Sequence, residues 1–211
     1  MAFSRQIAWG FLAVCLSFPC LYAADMTLAK AFEKSFVHEK KRDYAKAIDD
    51  FKGLKIAEVY EANLRLGWLQ YCAGAYDQSV SYYTKATLLM PYSEEAKFGL
   101  VLPLAAQGSW DMVMEQYKAI LATSSNNTAA MYRLGMIYYD RTDYQNALPC
   151  FQKLTDLYPF DYSGLIMYAW TNLKLGKSRE AQALFKKVLL RSPGDTSALH
   201  GLLLLGAKAE R

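Results

Sequence analysis

The amino-acid sequence predicts an all-α fold in which helical hairpins stack in series, and three observations carry that expectation. A large aromatic residue recurs at Phe51, Tyr83, Tyr117, Phe151 and Phe185, at spacings of 32, 34, 34 and 34 residues. Four residues before each stands a small or β-branched residue (Ala47, Ser79, Val113, Ala147, Ala181), and three after each an apolar one (Leu54, Ala86, Ile120, Leu154, Val188). Turn signals recur between the ladders at Gly74, Gly108, Thr142 and Gly176, and Pro91, Ser125, Pro159 and Pro193 stand at unit ends. Several ladders sharing one period are the signature of a repeat array.

Each ladder has a physical cause. Two antiparallel helices must approach closely within a unit, so Gly67, Gly135 and Ala147 lack bulk where backbones cross. The aromatic residue fills the gap between one hairpin and the next. Glycine near the midpoint supports the left-handed turn that ends the first helix. Proline at the unit end cannot continue the second helix. A single hairpin cannot bury its apolar face alone, so stability comes from stacking on neighbours.

Taken in order, the units are 28–59, 60–93, 94–127, 128–161 and 162–195. The first is two residues short, and its second helix is marked by the run DYAKAIDDF. The third carries Pro103 inside its first helix, where a bend is expected because an interior proline costs about 3 kcal/mol or kinks the helix. Pro149 in the fourth lies nearer its helix start. Pro193-Gly194-Asp195 leads into a final capping helix over 196–209, with Asp195 or Thr196 as its N-cap. That helix contains Leu202-Leu203-Leu204-Leu205 where a cap usually shows a polar outer face. Its leucines pack on the last hairpin or dock on another subunit.

The residues LGWLQYCAGAYDQSVSYYTKATLLMP and LGMIYYDRTDYQNALPCFQKLTDLYP, with the ladders around them, resemble the tetratricopeptide repeat family. The resemblance covers Leu28 to Asp195. It implies a right-handed superhelical solenoid of about five units, a concave groove, and protein or peptide partners. By that resemblance a stripe at i, i+4, i+7 on each first helix lines the groove. Along the chain this gives Phe32, Phe36 and Glu39, then Leu64, Trp68 and Tyr71, then Phe98, Leu102 and Ala105. Tyr132, Met136 and Tyr139 follow, then Ile166, Trp170 and Leu173. The partner-binding set is Leu64, Trp68, Tyr71, Phe98, Leu102, Tyr132, Met136, Tyr139, Ile166 and Trp170. Charges near it are few: Glu61, Arg65, Glu95, Arg133, Asp140 and Lys174. Family members that hold acidic chaperone C-termini use a Lys and Asn clamp on this face. Trp68, Leu102, Met136 and Trp170 stand where its central polar residues would be, so an apolar or helical segment is expected instead. The competing expectation is that the stripe is internal packing.

Residues 1–24 read as a secretory signal peptide. Arg5 opens a short polar start, an apolar run follows from Ile7 to Phe18, and Ala23 and Ala24 precede Asp25. The run is shorter than the roughly 20 residues a spanning helix needs. No membrane span is therefore expected after cleavage, and the location is periplasmic or secreted. The alternative is an uncleaved N-terminal anchor.

Composition and motifs narrow the function. Apolar residues make up 53% of the 211-residue chain and the formal net charge is +4, with charges interspersed. No basic cluster suggests nucleic acid. The only histidines, His38 and His200, lie far apart in sequence, and no metal-ligand spacing, nucleophile elbow or phosphate-cradling loop occurs. No cofactor, metal, small-molecule substrate or catalytic set is expected. Cys72 and Cys150 fall two repeats apart on different helices, which predicts two free thiols. The expected role is a non-enzymatic scaffold of the cell envelope that binds a protein segment. A self-associating module built on the C-terminal helix is the alternative.

Overall fold

A computed structural model describes the backbone of residues 18–209 and the side chains of 27–206. The start of the predicted signal segment and most of its apolar run, residues 1–17, lie outside the described residues. Eleven α-helices and no strand occur among the described residues. None of those helices is long and apolar enough to cross a membrane. The helices group into two compact units, divided between Leu89 and Met90.

The first unit holds α1 (Phe18–Lys40), α2 (Tyr44–Asp49), α3 (Tyr60–Cys72) and α4 (Tyr76–Leu89). Helix α2 is 6 residues long, against 14 for α4. It opens with Asp43 accepting from the Lys46 backbone N–H. After Asp49 the chain continues in turns through Gly53, at φ +77°, a conformation with no penalty only for glycine. Ala31, Ala47, Phe51, Ala62, Leu66 and Leu69 form this unit's buried core. Gly67 lets Tyr83 lie against α3, and the Ser79 hydroxyl donates to the Gly67 carbonyl at 2.7 Å.

The second unit holds α5 (Glu94–Ala106), α6 (Trp110–Thr123), α7 (Thr128–Asp140), α8 (Tyr144–Leu157), α9 (Tyr162–Lys174), α10 (Ser178–Arg191) and α11 (Thr196–Ala209). One cap recurs with the repeat. Ser93, Asn127, Asp161 and Asp195 accept from the backbone N–H three residues on, at 3.3, 2.9, 2.8 and 2.8 Å. Each satisfies one of the donors that a helix start leaves unpaired. The hairpin turns place Gly108, Thr142 and Gly176 at φ +72°, +60° and +75°. Thr142 holds this left-handed conformation with a β-branched side chain. Helix α5 runs unbroken through the buried Pro103, and α8 through Pro149. Around α9–α11 the core consists of Leu165, Ile166, Ala169, Leu173, Ala181, Phe185, Val188, Ala198 and Leu205.

Candidate protein-binding cleft

The feature that most resembles a site is a cleft in the second unit. Its walls come from the first helices α5 and α7, with α6 contributing Trp110, Val113 and Tyr117. The volume is about 740 Å³, and the wall includes Phe98, Gly99, Leu102, Ala105, Ala129, Tyr132, Arg133, Met136, Ile137 and Asp140.

The repeat frame explains why rings stand here. Phe98 meets Tyr117 edge-on at 6.2 Å between centroids, and Tyr132 meets Phe151 at 6.1 Å. Tyr117 and Phe151 belong to the buried aromatic ladder of the second helices. Each wall ring therefore has one edge held by a core ring, in the geometry that favours aromatic pairs. Phe98, Leu102, Tyr132 and Met136 keep partial exposure. The apolar wall has a chemical consequence. Burial pushes the Tyr117 hydroxyl up from its ordinary value, with the charge of Arg133 opposing it. The tyrosine therefore stays neutral at physiological pH.

Polar groups are sparse and placed. Arg133 and Asp140 lie seven residues apart on α7, about 10 Å along its axis. Opposite charges thus stand toward the two ends of an apolar wall. Pro103 has no N–H, so the carbonyl of Gly99 cannot receive the helical bond from four residues on. Gly99 has no side chain, so what it gives the cleft wall is backbone.

The predicted stripe divides. Phe98, Leu102, Tyr132 and Met136 come together in the cleft. Tyr139, on the same helix, instead packs edge-on to Tyr144 at 5.2 Å. Ile166 is buried in the core at 8% exposure, and Leu173 joins it. Trp170 packs edge-on to Phe185 at 5.1 Å, and its indole N–H donates to Ser197 on α11 at 2.9 Å. The last repeat's stripe is therefore taken up by the chain itself.

Leu64, Trp68 and Tyr71 belong to the first unit, where Trp68 is 37% exposed and tilts against Tyr71, itself against Tyr76. A charged cluster sits beside them. Glu39 accepts from Arg65 Nη1 at 2.6 Å and from the Trp68 indole at 2.5 Å. Arg65 also donates from Nε to Ser35 at 3.0 Å and lies 3.9 Å from the Phe36 ring centroid. Partial burial pushes the Glu39 carboxyl up, but the bonds from Trp68 and Arg65 and the Arg65 charge outweigh it, so the net shift is downward. Sequence reasoning placed Arg65 near the groove but did not find it 8% exposed under the stripe. In the cleft it missed Gly99, Trp110, Ala129 and Ile137. The glycine four residues before a helix-interior proline was a readable signal.

Among the described residues, no group of three or more His, Cys, Asp or Glu side chains is placed to hold a metal ion. His38 pairs with Asp50 at 2.7 Å. Cys72 and Cys150 are free thiols.

Residues 128–161 and 162–195 each match a family model described as a tetratricopeptide repeat. Among solved structures, a tetratricopeptide repeat protein from Parabacteroides merdae ATCC 43184 matches with a TM-score of 0.69 at 18% identity, covering 87% of this chain and 75% of that one. YrrB, described as a TPR protein with an unusual peptide-binding site, matches with a TM-score of 0.63 at 20% identity, covering 79% of this chain and 84% of that one. At these identities the likeness shows the fold. Among curated proteins, Protein CTR9 homolog of Arabidopsis thaliana is 22% identical over 129 residues, which are 61% of this chain and 12% of that protein.

Proposed function

Since residues 128–195 match tetratricopeptide-repeat models and the chain shares the fold of such proteins, we propose that it acts as an interaction module whose α5–α7 cleft takes an apolar, helix-forming segment of another polypeptide. One observation carries this: Phe98, Leu102, Tyr132 and Met136 line a single open volume of about 740 Å³, and core rings behind pack against Phe98 and Tyr132. A helix presents apolar residues at i, i+3 or i+4, and i+7, which suits a wall built from two parallel stripes. The opposite charges of Arg133 and Asp140 set the direction in which the segment lies. The Gly99 carbonyl takes one donor from it.

The magnitudes agree with a transient partner. Covering the exposed parts of these four side chains removes roughly 200 Å² from water on this chain and about as much on the partner, worth about 10 kcal/mol gross. Association costs at least about 4 kcal/mol. The remainder, about 6 kcal/mol, corresponds to a Kd in the tens of micromolar.

The test is selection of displayed random 12-residue peptides on the full chain. Enriched peptides carry aliphatic or aromatic residues at helical spacing, and Leu102→Asp weakens their binding at least about tenfold, more than 1.4 kcal/mol. Leu190→Asp, on an exposed leucine of α10, leaves it unchanged. Equal binding by the Leu102 variant removes the cleft from the account.

The proposed location is outside the cytoplasm. Its support is the order of Arg5, the apolar run from Ile7 and the small residues Ala23 and Ala24. N-terminal sequencing of the protein from its native host finds a chain that starts after one of those alanines. A chain beginning at Met1 refutes cleavage.

A further inference from the structure

A second, smaller volume of about 360 Å³ adjoins the α5–α7 cleft, between the start of α7, the end of α8 and the start of α9. Ala129 and Tyr132 line both volumes, so the two are neighbours across the first turns of α7. Leu154 and Tyr158 give the smaller one an apolar side. Asp161 is the only charged residue on its wall. The repeat frame shows why this space is open. In the third and fifth units the residue that opens the first helix is bonded to the cap of the next one. Asn127 donates to Glu94 at 2.6 Å, and Tyr162 donates to Asp195 at 2.9 Å. Thr128 holds the same place in the fourth unit, but its side chain is shorter, and no hydrogen bond joins it to Asp161. One Asp161 carboxylate oxygen accepts from the Gly164 backbone N–H at 2.8 Å. The other has no partner among the described residues.

We propose that the segment held in the α5–α7 cleft places a lysine or arginine in this pocket, with its charged head on the free oxygen of Asp161; this rests on the cleft being where the partner lies. The chemistry of the wall selects that residue type. A wholly apolar side chain would take the free oxygen out of water with nothing to bond it. An anion would face the Asp161 carboxylate. Lysine and arginine carry an apolar stem that lies along Leu154 and Tyr158 while the charged head stays toward water. Arg133 lines the cleft and not this pocket, so no cation on the pocket's own wall competes for Asp161. The bound segment therefore has apolar anchors at helical spacing over the cleft and a basic residue at the end that passes Tyr132.

The probes are the 12-residue peptide most enriched by selection on the full chain and analogues in which norleucine replaces each of its basic residues in turn. Norleucine keeps an apolar stem and removes the charge. One of these replacements weakens binding to the wild type about two- to fivefold, the range of an exposed ion pair. Asp161→Asn keeps a good helix cap and removes the charge, so on this variant the same replacement changes nothing. An unchanged thermal melt checks that the variant folds. Enriched peptides without lysine or arginine overturn the proposal. So do replacements that cost nothing on the wild type, or whose cost persists in full on Asp161→Asn. In each of these cases the cleft itself stands as long as Leu102→Asp still weakens binding. Peptides that ignore Leu102→Asp remove the cleft and the role of this pocket together.

Discussion

Gly135 of α7 and Phe151 of α8 are fitted to each other: a Cβ added to the glycine would stand 2.9 Å from the ring's Cε1. The ring has little room to retreat, because it is fully buried and Tyr132 packs against it. The same pairing recurs at Gly67 and Tyr83, where the distance is 2.8 Å. The small-residue ladder and the aromatic ladder are thus two halves of one contact.

Gly135→Ala gains up to about 1 kcal/mol in helix propensity but overpacks the contact by about 1–3 kcal/mol. The expected net loss is about 1 kcal/mol, read as a lower urea midpoint at unchanged slope. Gly201→Ala loses more, because its Cβ would lie 2.3 Å from Cζ of the buried Phe185. Equal stability of both variants with wild type contradicts this packing account.

Pro103→Ala separates stability from binding. It restores an N–H at position 103 and lets the Gly99 carbonyl complete its helical bond. The variant gains about 1–2 kcal/mol, less than the full proline cost because the buried ring's packing is lost. Peptides selected on the wild type bind it several-fold more weakly, since the acceptor in the wall is now used internally. Titration calorimetry beside a thermal melt reads both effects.

The Glu39 cluster makes the first unit sensitive to acid. The folded-state pKa lies below the ordinary 4.5. Its contribution is therefore present above pH 4.5 and is lost as pH falls through the lowered value. Glu39→Gln costs about 1–3 kcal/mol at neutral pH, because the buried Arg65 guanidinium loses its counter-charge. The gap in urea midpoint between variant and wild type narrows as pH falls below 4.5. A constant gap across that range rules out the pairing as its source.

The Cys150 thiol is pushed up to about 11 from 9.0 by burial. At pH 8 its thiolate fraction falls about 100-fold, and the thiolate is the reactive form. Native Cys150 therefore reacts with a disulfide reagent at least about tenfold more slowly than in urea. Comparable rates in the two conditions would show an open site.

Much of the fold was legible because the repeat states each contact several times. The aromatic ladder, the positive-φ turns at Gly74, Gly108, Thr142 and Gly176, and the start of α11 at Asp195 all follow from one period. The cleft was legible in part. Phe98, Leu102, Tyr132 and Met136 follow from helical spacing, but spacing does not say which stripes the chain covers. Trp170 has the same frame position as Met136, yet Ser197 and His200 of the next helix lie against it. Ile166 matches Tyr132 in frame, and its smaller side chain lies within the core. Arg65 was hidden for another reason: its burial depends on Ser35, Phe36 and Glu39, some 30 residues earlier, and no local pattern encodes that meeting.

The most direct test is a photo-cross-link from an enriched peptide carrying a benzophenone at its central apolar position, mapped on the protein by mass spectrometry. Cross-links on Phe98, Leu102, Tyr132 and Met136 of α5 and α7 are the result expected. Cross-links confined to other helices, with none on those four residues, would contradict the cleft as the place where this chain holds its partner.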